Sequence, residues 1–420
     1  MIIKLKPKSE FSRNVLTLMT GTTIAQAIPI AISPILTRIY TPEDFGVFAL
    51  FVAIVGFFSV IASARYEQAI LIPKKDEDAI NIFALGFIIN LTISISLLVL
   101  VVLFHNYFVR LLNSKEISLW LYFIPLTVFF IGLFNLLVLF NNRKKEYKDI
   151  AQATIIKSII TAIIQLSVGF LKQGATGLIT GQLISQIFAN MKLFKNIIKD
   201  KILISKISKV KIIALAKRYK NFPKFQAPHA FLNGFSSNLP IYIFTPFFGV
   251  GIVGLYSLST RVVFAPLMIL AGASTKVYNQ QLSLLYNDKK DTYTFTINLL
   301  KSLLKKILIP YILFIYFAPD IFEILFGDKW RESGIYTQIL SPWLLLNTVV
   351  ATIAFIPSLV DKQKKAFIVS IIQLFFIVNA LYFGVIYKNI YLSLSLFTLV
   401  NSLLLLYNLR WMLNELKVKI

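Results

Sequence analysis

Apolar segments of about twenty residues follow one another along almost the whole chain. At 1.5 Å per residue, a helix of that length crosses the roughly 30 Å of hydrocarbon in a bilayer. The chain is 57% hydrophobic and only 15% charged, which is more apolar surface than a soluble core of 420 residues could bury. We predict an all-α integral membrane protein with about twelve transmembrane helices, at residues 15–37, 45–64, 79–104, 117–140, 150–171, 174–194, 226–248, 251–274, 297–318, 335–357, 366–387 and 390–409.

Lysine and arginine are distributed unevenly between the connections. If the N-terminus is cytoplasmic, the inner segments carry 34 of these residues and the outer loops carry 7. The positive-inside rule then predicts that both termini are cytoplasmic. The first apolar segment, from about Val15 to Leu36, is longer than the core of a signal peptide and ends without a small-residue cleavage site. We therefore expect it to be retained as a helix.

The composition excludes several kinds of site. The chain contains no cysteine and only two histidines, His105 and His229, so neither thiolate nor histidine metal centres are expected. The formal charge of +24 could attract nucleic acid, but the basic residues lie in short runs between membrane-spanning segments. We therefore expect the lipid bilayer to be the partner of these charges, with no nucleic acid and no cofactor.

The chain divides into two similar halves around a long basic connection. Residues 26–34, followed by Gly46, resemble residues 238–246, followed by Gly254, although apolar segments also resemble one another by chance. A parallel repeat of this kind is typical of transporters with a substrate path between pseudo-symmetric halves. We predict an N-terminal six-helix lobe at 1–194, a basic cytoplasmic connector at 195–225 that is either an amphipathic helix on the anionic inner leaflet or a solvated linker, and a C-terminal six-helix lobe at 226–420.

Prolines and polar residues recur in the first and seventh predicted helices. Proline leaves a helix carbonyl without its partner, which lets a membrane helix bend and line a cavity. Gln26 lies on a polar face of the first helix, and Asn233 and Ser237 lie on one of the seventh. We interpret these residues as cavity-lining, with helix–helix packing contacts as the alternative.

The two cations not counted with a connection, Lys157 and Arg261, fall inside predicted helices, whereas none of the 19 acidic residues lies in the middle of one. Arg261 is about ten residues into the eighth helix, too deep to reach the headgroups easily. We expect it to face a water-filled cavity and to contact an anionic substrate. Lys157 lies two turns from the cytoplasmic end of the fifth helix, where it either shares this role or extends to the interface.

Three further ionisable residues lie near the predicted membrane boundary or in a helix. Arg65 and Glu67 could form a gate pair at the membrane interface, but they are two positions apart and would face different ways on a regular helix. We therefore expect Glu67 to pair with neighbouring loops and Arg65 to reach a lipid phosphate. His229 is expected to be a hydrogen-bonded packing residue.

The acidic run 76–78 resembles a metal motif of nucleotide-sugar transferases, but no nucleotide-binding fold surrounds it.

The N-terminal part carries a recognisable motif. Pro34 to Gly46, PILTRIYTPEDFG, and Arg65 to Lys74, RYEQAILIPK, resemble the signature of bacterial polysaccharide biosynthesis flippases. These are the Wzx-type O-antigen and capsule transporters of the multidrug/oligosaccharidyl-lipid/polysaccharide exporter superfamily. The resemblance implies a two-lobed, V-shaped protein that moves an undecaprenyl-diphosphate-linked oligosaccharide from the inner to the outer leaflet of the cytoplasmic membrane by alternating access. It also implies a cationic cavity, and by motif position it points to Arg38 and Arg65.

The resemblance further implies coupling to a proton or sodium gradient, for which Glu67 and His229 are the candidates. A polysaccharide polymerase and chain-length machinery are the implied protein partners. Two other classes are weighed against this one. An ion-coupled multidrug or metabolite antiporter would need an embedded carboxylate, and a polytopic glycosyltransferase or polymerase would need catalytic residues on a large loop. Since the outer loops are short and the embedded charges are cations, we expect a transporter and not an enzyme.

Overall fold

The computed structural model describes residues 10–171 and 173–417, and this part of the chain is helical with no β-strand. All twelve predicted segments fall on helices. Nine of the described helices are long and apolar enough to cross a membrane, and a bent pair, discussed below, makes a tenth. Lys172 and the chain ends at 1–9 and 418–420, which the charge argument used, lie outside the described residues.

The chain forms two compact units that meet between Pro246 and Phe247. The predicted lobes meet at the connector 195–225 instead, so the seventh predicted helix lies in the first unit. The division into two six-helix lobes stays a prediction. The helices that begin in the first unit are α1 (Glu10–Ile39), α2 (Pro42–Ser59), α3 (Asp76–Leu112), α4 (Ser118–Leu121), α5 (Ile124–Arg143), α6 (Tyr147–Gly169), α7 (Thr176–Lys199), α8 (Lys201–Ile204), α9 (Lys209–Arg218), α10 (Ala227–Ser237) and α11 (Leu239–Phe248).

Part of the sequence signature is a helix start. The Thr41 hydroxyl accepts a hydrogen bond from the Asp44 backbone N–H at 3.3 Å, and the Asp44 carboxylate accepts one from the Thr41 N–H at 2.9 Å. This capping box satisfies two otherwise unpaired donors, and Pro42 fits the first turn because it needs no N–H partner there. The motif therefore fixes where α2 begins.

In the first unit, α6 packs along α1 and α7, while α5 packs against α2, α3 and α7. Pro29 lies inside α1, and because proline has no N–H, the carbonyl of Ala25 loses its helical partner. The Ser158 hydroxyl of α6 donates to that Ala25 carbonyl at 2.8 Å. The Ser158 hydroxyl of the neighbouring helix thus replaces the hydrogen bond that Pro29 removes from α1.

Replacing Ser158 with alanine is expected to lower the free energy of unfolding by about 1–2 kcal/mol, because the Ala25 carbonyl would be left without a donor. The matched control is Ser236→Ala, which removes a hydroxyl that bonds the Leu232 carbonyl of its own helix at 2.8 Å. We expect that control to change stability by less than about 0.5 kcal/mol. Thermal unfolding in detergent measures both, and equal effects would contradict this role for Ser158.

The seventh predicted helix is broken. Asn238 separates α10 from α11, and the pair packs on α2. The ring of Phe57 lies 4.1 Å from that of Phe231, and the Tyr242 hydroxyl donates to the Ala53 carbonyl at 2.7 Å. Because of this break, α10 and α11 have only 11 and 10 residues, and neither is long enough to span a bilayer alone.

The second unit consists of α12 (Val250–Asn287), α13 (Thr292–Tyr316), α14 (Ala318–Phe326), α15 (Arg331–Thr352), α16 (Ile356–Leu359), α17 (Gln363–Ile386) and α18 (Ile390–Lys417). Helix α15 packs against α12, α13, α14 and α18, and is the central helix of this unit. Helices α13 and α14 form the bent pair, with 71° between them. Pro342 inside α15 frees the Gln338 carbonyl, which accepts a bond from the Ser341 hydroxyl at 2.8 Å.

Candidate functional site

A tight turn at Arg65 follows the end of α2. Ala64 and Arg65 have φ values of 48° and 64°, a left-handed conformation that residues other than glycine seldom adopt. A short 3-10 helix, Tyr66–Leu71, begins directly afterwards. Residues in strained conformations of this kind persist only where the surroundings hold them, and they cluster at functional sites.

The turn brings Arg65 and Glu67 together, contrary to the expectation for a regular helix. Arg65 Nη1 lies 3.3 Å from Glu67 Oε1, and the Glu67 side chain is only 4% exposed. The Ser63 hydroxyl donates to the other oxygen of Glu67. The expectation failed because it assumed helical spacing at residues whose backbone is left-handed.

The Arg65 guanidinium keeps an unused donor. Its Nε is buried and has no hydrogen-bond partner among the described residues, while the side chain as a whole remains 29% exposed. A buried donor without an acceptor costs stability unless a water or ligand satisfies it. Arg65 can therefore balance Glu67 and still offer a charged hydrogen bond to an oxyanion.

Replacing Glu67 with glutamine is expected to destabilise the turn by about 1–2 kcal/mol, a value reduced because Arg65 is partly exposed to solvent. Glutamine can still accept from Ser63 but leaves the Arg65 charge without a counter-ion. A double-mutant cycle with Arg65→Gln, read by thermal unfolding, isolates the pair. Glu43→Gln, at an exposed position of α2, is the control. Additive effects of the two substitutions would show that the ion pair does not hold the turn.

Lys157 is half-buried on α6 and lies over the ring of Phe134, with its Nζ 5.3 Å from the ring centroid. No carboxylate of the described residues lies within 4 Å of it. An aromatic face attracts a cation without neutralising it. The Phe134 ring thus does not replace a counter-ion for the Lys157 ammonium group.

Arg261 is half-buried at the twelfth position of α12. Within the described part of the chain no carboxylate lies within 4 Å of its guanidinium. The neighbouring Ser259 is fully buried and its hydroxyl lies 2.8 Å from that of Thr337 on α15. The backbone that carries Arg261 is therefore held against the central helix of its unit.

The other predicted site residues are exposed on two helices, α1 and α10. Arg38 lies in the last turn of α1 and Gln26 lies in its middle, whereas His229, Asn233 and Ser237 lie on α10. The Ser237 hydroxyl donates to the Asn233 carbonyl at 2.8 Å, one turn earlier. Among the predicted residues the structure thus joins Arg65 to Glu67 and Ser237 to Asn233. The proposed binding roles of all of them stay predictions.

The charge pattern marks Arg143 only as a basic loop residue, but its side chain holds the segment that follows the Arg65 turn. Its guanidinium donates to the Asp76 carboxylate at 2.8 Å and to the carbonyls of Ile70, Pro73 and Lys74 at 3.2, 2.6 and 3.2 Å. Lys144 also pairs with Asp76, at 2.6 Å. No local spacing in the sequence links these residues. Asp76, the first residue of the acidic run 76–78, therefore forms ion pairs with Arg143 and Lys144.

The fold is similar to that of known transporters. A multidrug resistance MATE family transporter of the MOP superfamily, in its inward-facing conformation, matches with a TM-score of 0.66 and 16% identity over 96% of this chain and 95% of that one. A MOP superfamily transporter from Pyrococcus furiosus, described as having a binding pocket of reverse polarity, matches with a TM-score of 0.64 and 13% identity over 96% of both chains. An outward-facing MATE structure matches with a TM-score of 0.63 and 14% identity over 96% of both.

The long apolar helices define a multi-pass membrane protein, and its fold is that of these transporters. The sequence profile described as polysaccharide biosynthesis protein matches residues 35–335, well over half of the chain. The protein belongs to that family. Comparison with curated protein sequences gives no significant match. The predicted all-helical membrane fold and the predicted polysaccharide biosynthesis family are thereby confirmed.

Proposed function

We propose that this protein is a flippase that moves an undecaprenyl-diphosphate-linked oligosaccharide repeat unit from the inner to the outer leaflet by alternating access, for O-antigen or capsule biosynthesis. The observation that carries the proposal is the sign of the embedded charge. Arg261 and Lys157 lie on membrane helices, and no described carboxylate is within 4 Å of either. Membership of a polysaccharide biosynthesis family supports the choice of cargo.

A diphosphate explains why a transporter for a glycan would hold cations in the membrane. Placing an unpaired cation in a bilayer costs several kcal/mol, and an anionic ligand recovers that cost by pairing with it. Arginine presents a planar fork of donors that fits phosphate oxygens, while lysine provides a compact charge. Arg38 and Arg65 are the further cations that we assign to the diphosphate.

An ion-coupled multidrug or metabolite antiporter is the alternative, since the same fold carries multidrug transporters. Such a protein would bind cationic drugs through an embedded carboxylate. Glu67 is the buried carboxylate in the described residues, and it is already paired with Arg65. This pairing favours the anionic cargo. We assign possible ion coupling, by proton or sodium, to Glu67 and His229.

The phenotype of a strain that lacks the gene tests which cargo the protein moves. In a bacterial strain that lacks the gene, the proposal predicts that lipid-linked repeat units accumulate and surface polysaccharide is lost, with recovery from a plasmid copy. The polysaccharide polymerase and chain-length machinery, the proposed partners, would then lack substrate. A strain with normal surface polysaccharide but increased sensitivity to cationic drugs would instead identify the antiporter.

We also propose that the protein lies in the bacterial cytoplasmic membrane with both termini in the cytoplasm. The chain has no cysteine, so single cysteines can be placed without background. A cysteine at Lys145, an exposed position after α5, should resist an impermeant maleimide added to intact cells. A cysteine at Lys388, exposed before α18, should react. The reverse pattern would overturn the orientation.

A further inference from the structure

Helices α8 and α9, in the connector, expose an apolar and basic surface. Its apolar members are Ile202, Val210 and Ile213, whose side chains are 76%, 78% and 47% exposed. Its exposed cations are Lys201, Lys206, Lys209, Lys217 and Arg218. We call this set the connector surface. The sequence contains no acidic residue from position 201 to position 287, so its charge is uncompensated along the chain.

The opposite face of α9 is already occupied by protein. Leu215 and Tyr219 are buried in a core cluster with Tyr66 and Ile70. Val210 and Ile213 lie on the other side of the helix, so they cannot join that core without turning α9 over. Of the two alternatives for the connector, residues 209–218 form the helix, with one face buried in protein and the other exposed.

Hydrogen bonds and an ion pair hold α9 in this orientation. The Asn81 amide of α3 donates to the Lys206 carbonyl at 3.1 Å and accepts from the Ser208 N–H at 2.8 Å. Lys211 forms an ion pair with Glu77. The connector surface is thus displayed on a fixed support and not on a free linker.

We propose that the connector surface binds the anionic phospholipid headgroups of the leaflet on the basic side of the membrane. Lysines would contact lipid phosphates, while Val210 and Ile213 would enter the boundary between headgroups and acyl chains. A soluble phosphate could satisfy the lysines but would leave both apolar side chains in water. A lipid surface covers both kinds of residue at once, which is why we choose it.

This contact also reaches the Arg65 turn. The Tyr66 hydroxyl donates to the Ala216 carbonyl of α9 at 3.0 Å, and Tyr66 lies between Arg65 and Glu67 in sequence. A lipid-bound α9 would therefore hold the turn that carries the candidate phosphate donor. The inference concerns regulation and lipid contact, and it does not depend on which cargo the transporter moves.

An environment-sensitive fluorophore on a single cysteine at Val210 tests the proposal in the full-length protein. Nanodiscs of phosphatidylcholine alone are compared with nanodiscs that also contain phosphatidylglycerol. We expect a blue shift of the emission in the anionic discs, and loss of most of that shift in the triple variant Lys209→Gln, Lys217→Gln, Arg218→Gln. The charge-matched control removes three other exposed lysines, Lys289, Lys290 and Lys301, and should keep the shift.

Three outcomes would overturn the proposal. The first is equal emission in both kinds of disc, and the second is an equal loss of the shift in the control variant. The third is a shift produced in neutral discs by added soluble polyphosphate, which would identify a free anion as the ligand. The same fluorophore at Ser205, an exposed polar position between α8 and α9, reports unfolding of the connector. Unchanged emission there shows that the triple variant is folded.

Discussion

Replacing Arg261 with alanine is expected to reduce transport by at least about 100-fold while leaving the protein folded in the membrane. Arg261 lies about 16 Å along α12 from its first residue, within the candidate membrane span Val250–Leu267. Because no described carboxylate lies within 4 Å of the guanidinium, its removal leaves no acidic partner uncompensated. The loss should therefore appear in transport and not in stability.

Lysine at position 261 is expected to restore part of the activity, since it keeps the charge but lacks the planar fork that binds phosphate oxygens. The control is Lys290→Ala, which removes an exposed cation from the loop before α13. Flipping rates of lipid-linked oligosaccharide and protein levels in the membrane are the two measurements. Near-normal flipping by Arg261→Ala would show that Arg261 does not belong to the binding site.

Arg143→Ala is expected to have the largest effect on stability, lowering the free energy of unfolding by about 2–3 kcal/mol. The Arg143 side chain is only 11% exposed, and its loss leaves an Asp76 carboxylate and three backbone carbonyls without this donor. The segment that these bonds hold follows directly on the Arg65 turn. We therefore expect transport to fall with stability.

Arg331→Ala is the matched control for Arg143. Arg331 is likewise ion-paired, with the carboxylates of Asp320 and Glu323 at 2.9 and 3.0 Å, but its side chain is 48% exposed. Exposed pairs contribute little, so the expected loss is below about 1 kcal/mol. Thermal unfolding in detergent and hydrogen exchange of residues 66–75 check both variants. Comparable losses from the two substitutions would contradict the special role of Arg143.

Hydropathy was sufficient to place the helices, because a bilayer demands long apolar segments wherever the chain crosses it. It could not place the breaks. Asn238 interrupts the seventh predicted helix two residues before Pro240, and α13 bends sharply into α14, whose first turn contains Pro319; hydropathy measures neither the effect of proline nor the packing of neighbouring helices. Length and apolar composition alone contain no information about those neighbours.

The residue types of the candidate site could be predicted from the sequence, but the contacts of these side chains could not. The sequence identified Arg261 and Lys157 as embedded cations, because few charged residues interrupt the apolar segments. It gave the wrong geometry for Arg65 and Glu67, since helical spacing does not apply to a left-handed turn. The Phe134 ring beside Lys157 and the Ser158 hydroxyl beside Ala25 are contacts between distant segments. Such contacts become visible only when the helices are packed.

Reconstitution into liposomes tests the proposed flippase most directly. Fluorescent undecaprenyl-diphosphate-linked oligosaccharide is placed in both leaflets, and a membrane-impermeant quencher is added outside. We expect the protein to make the inner pool accessible to the quencher, and the Arg261→Ala variant not to do so. An inner pool that stays protected, in liposomes where the same protein transports a cationic dye, would contradict the account.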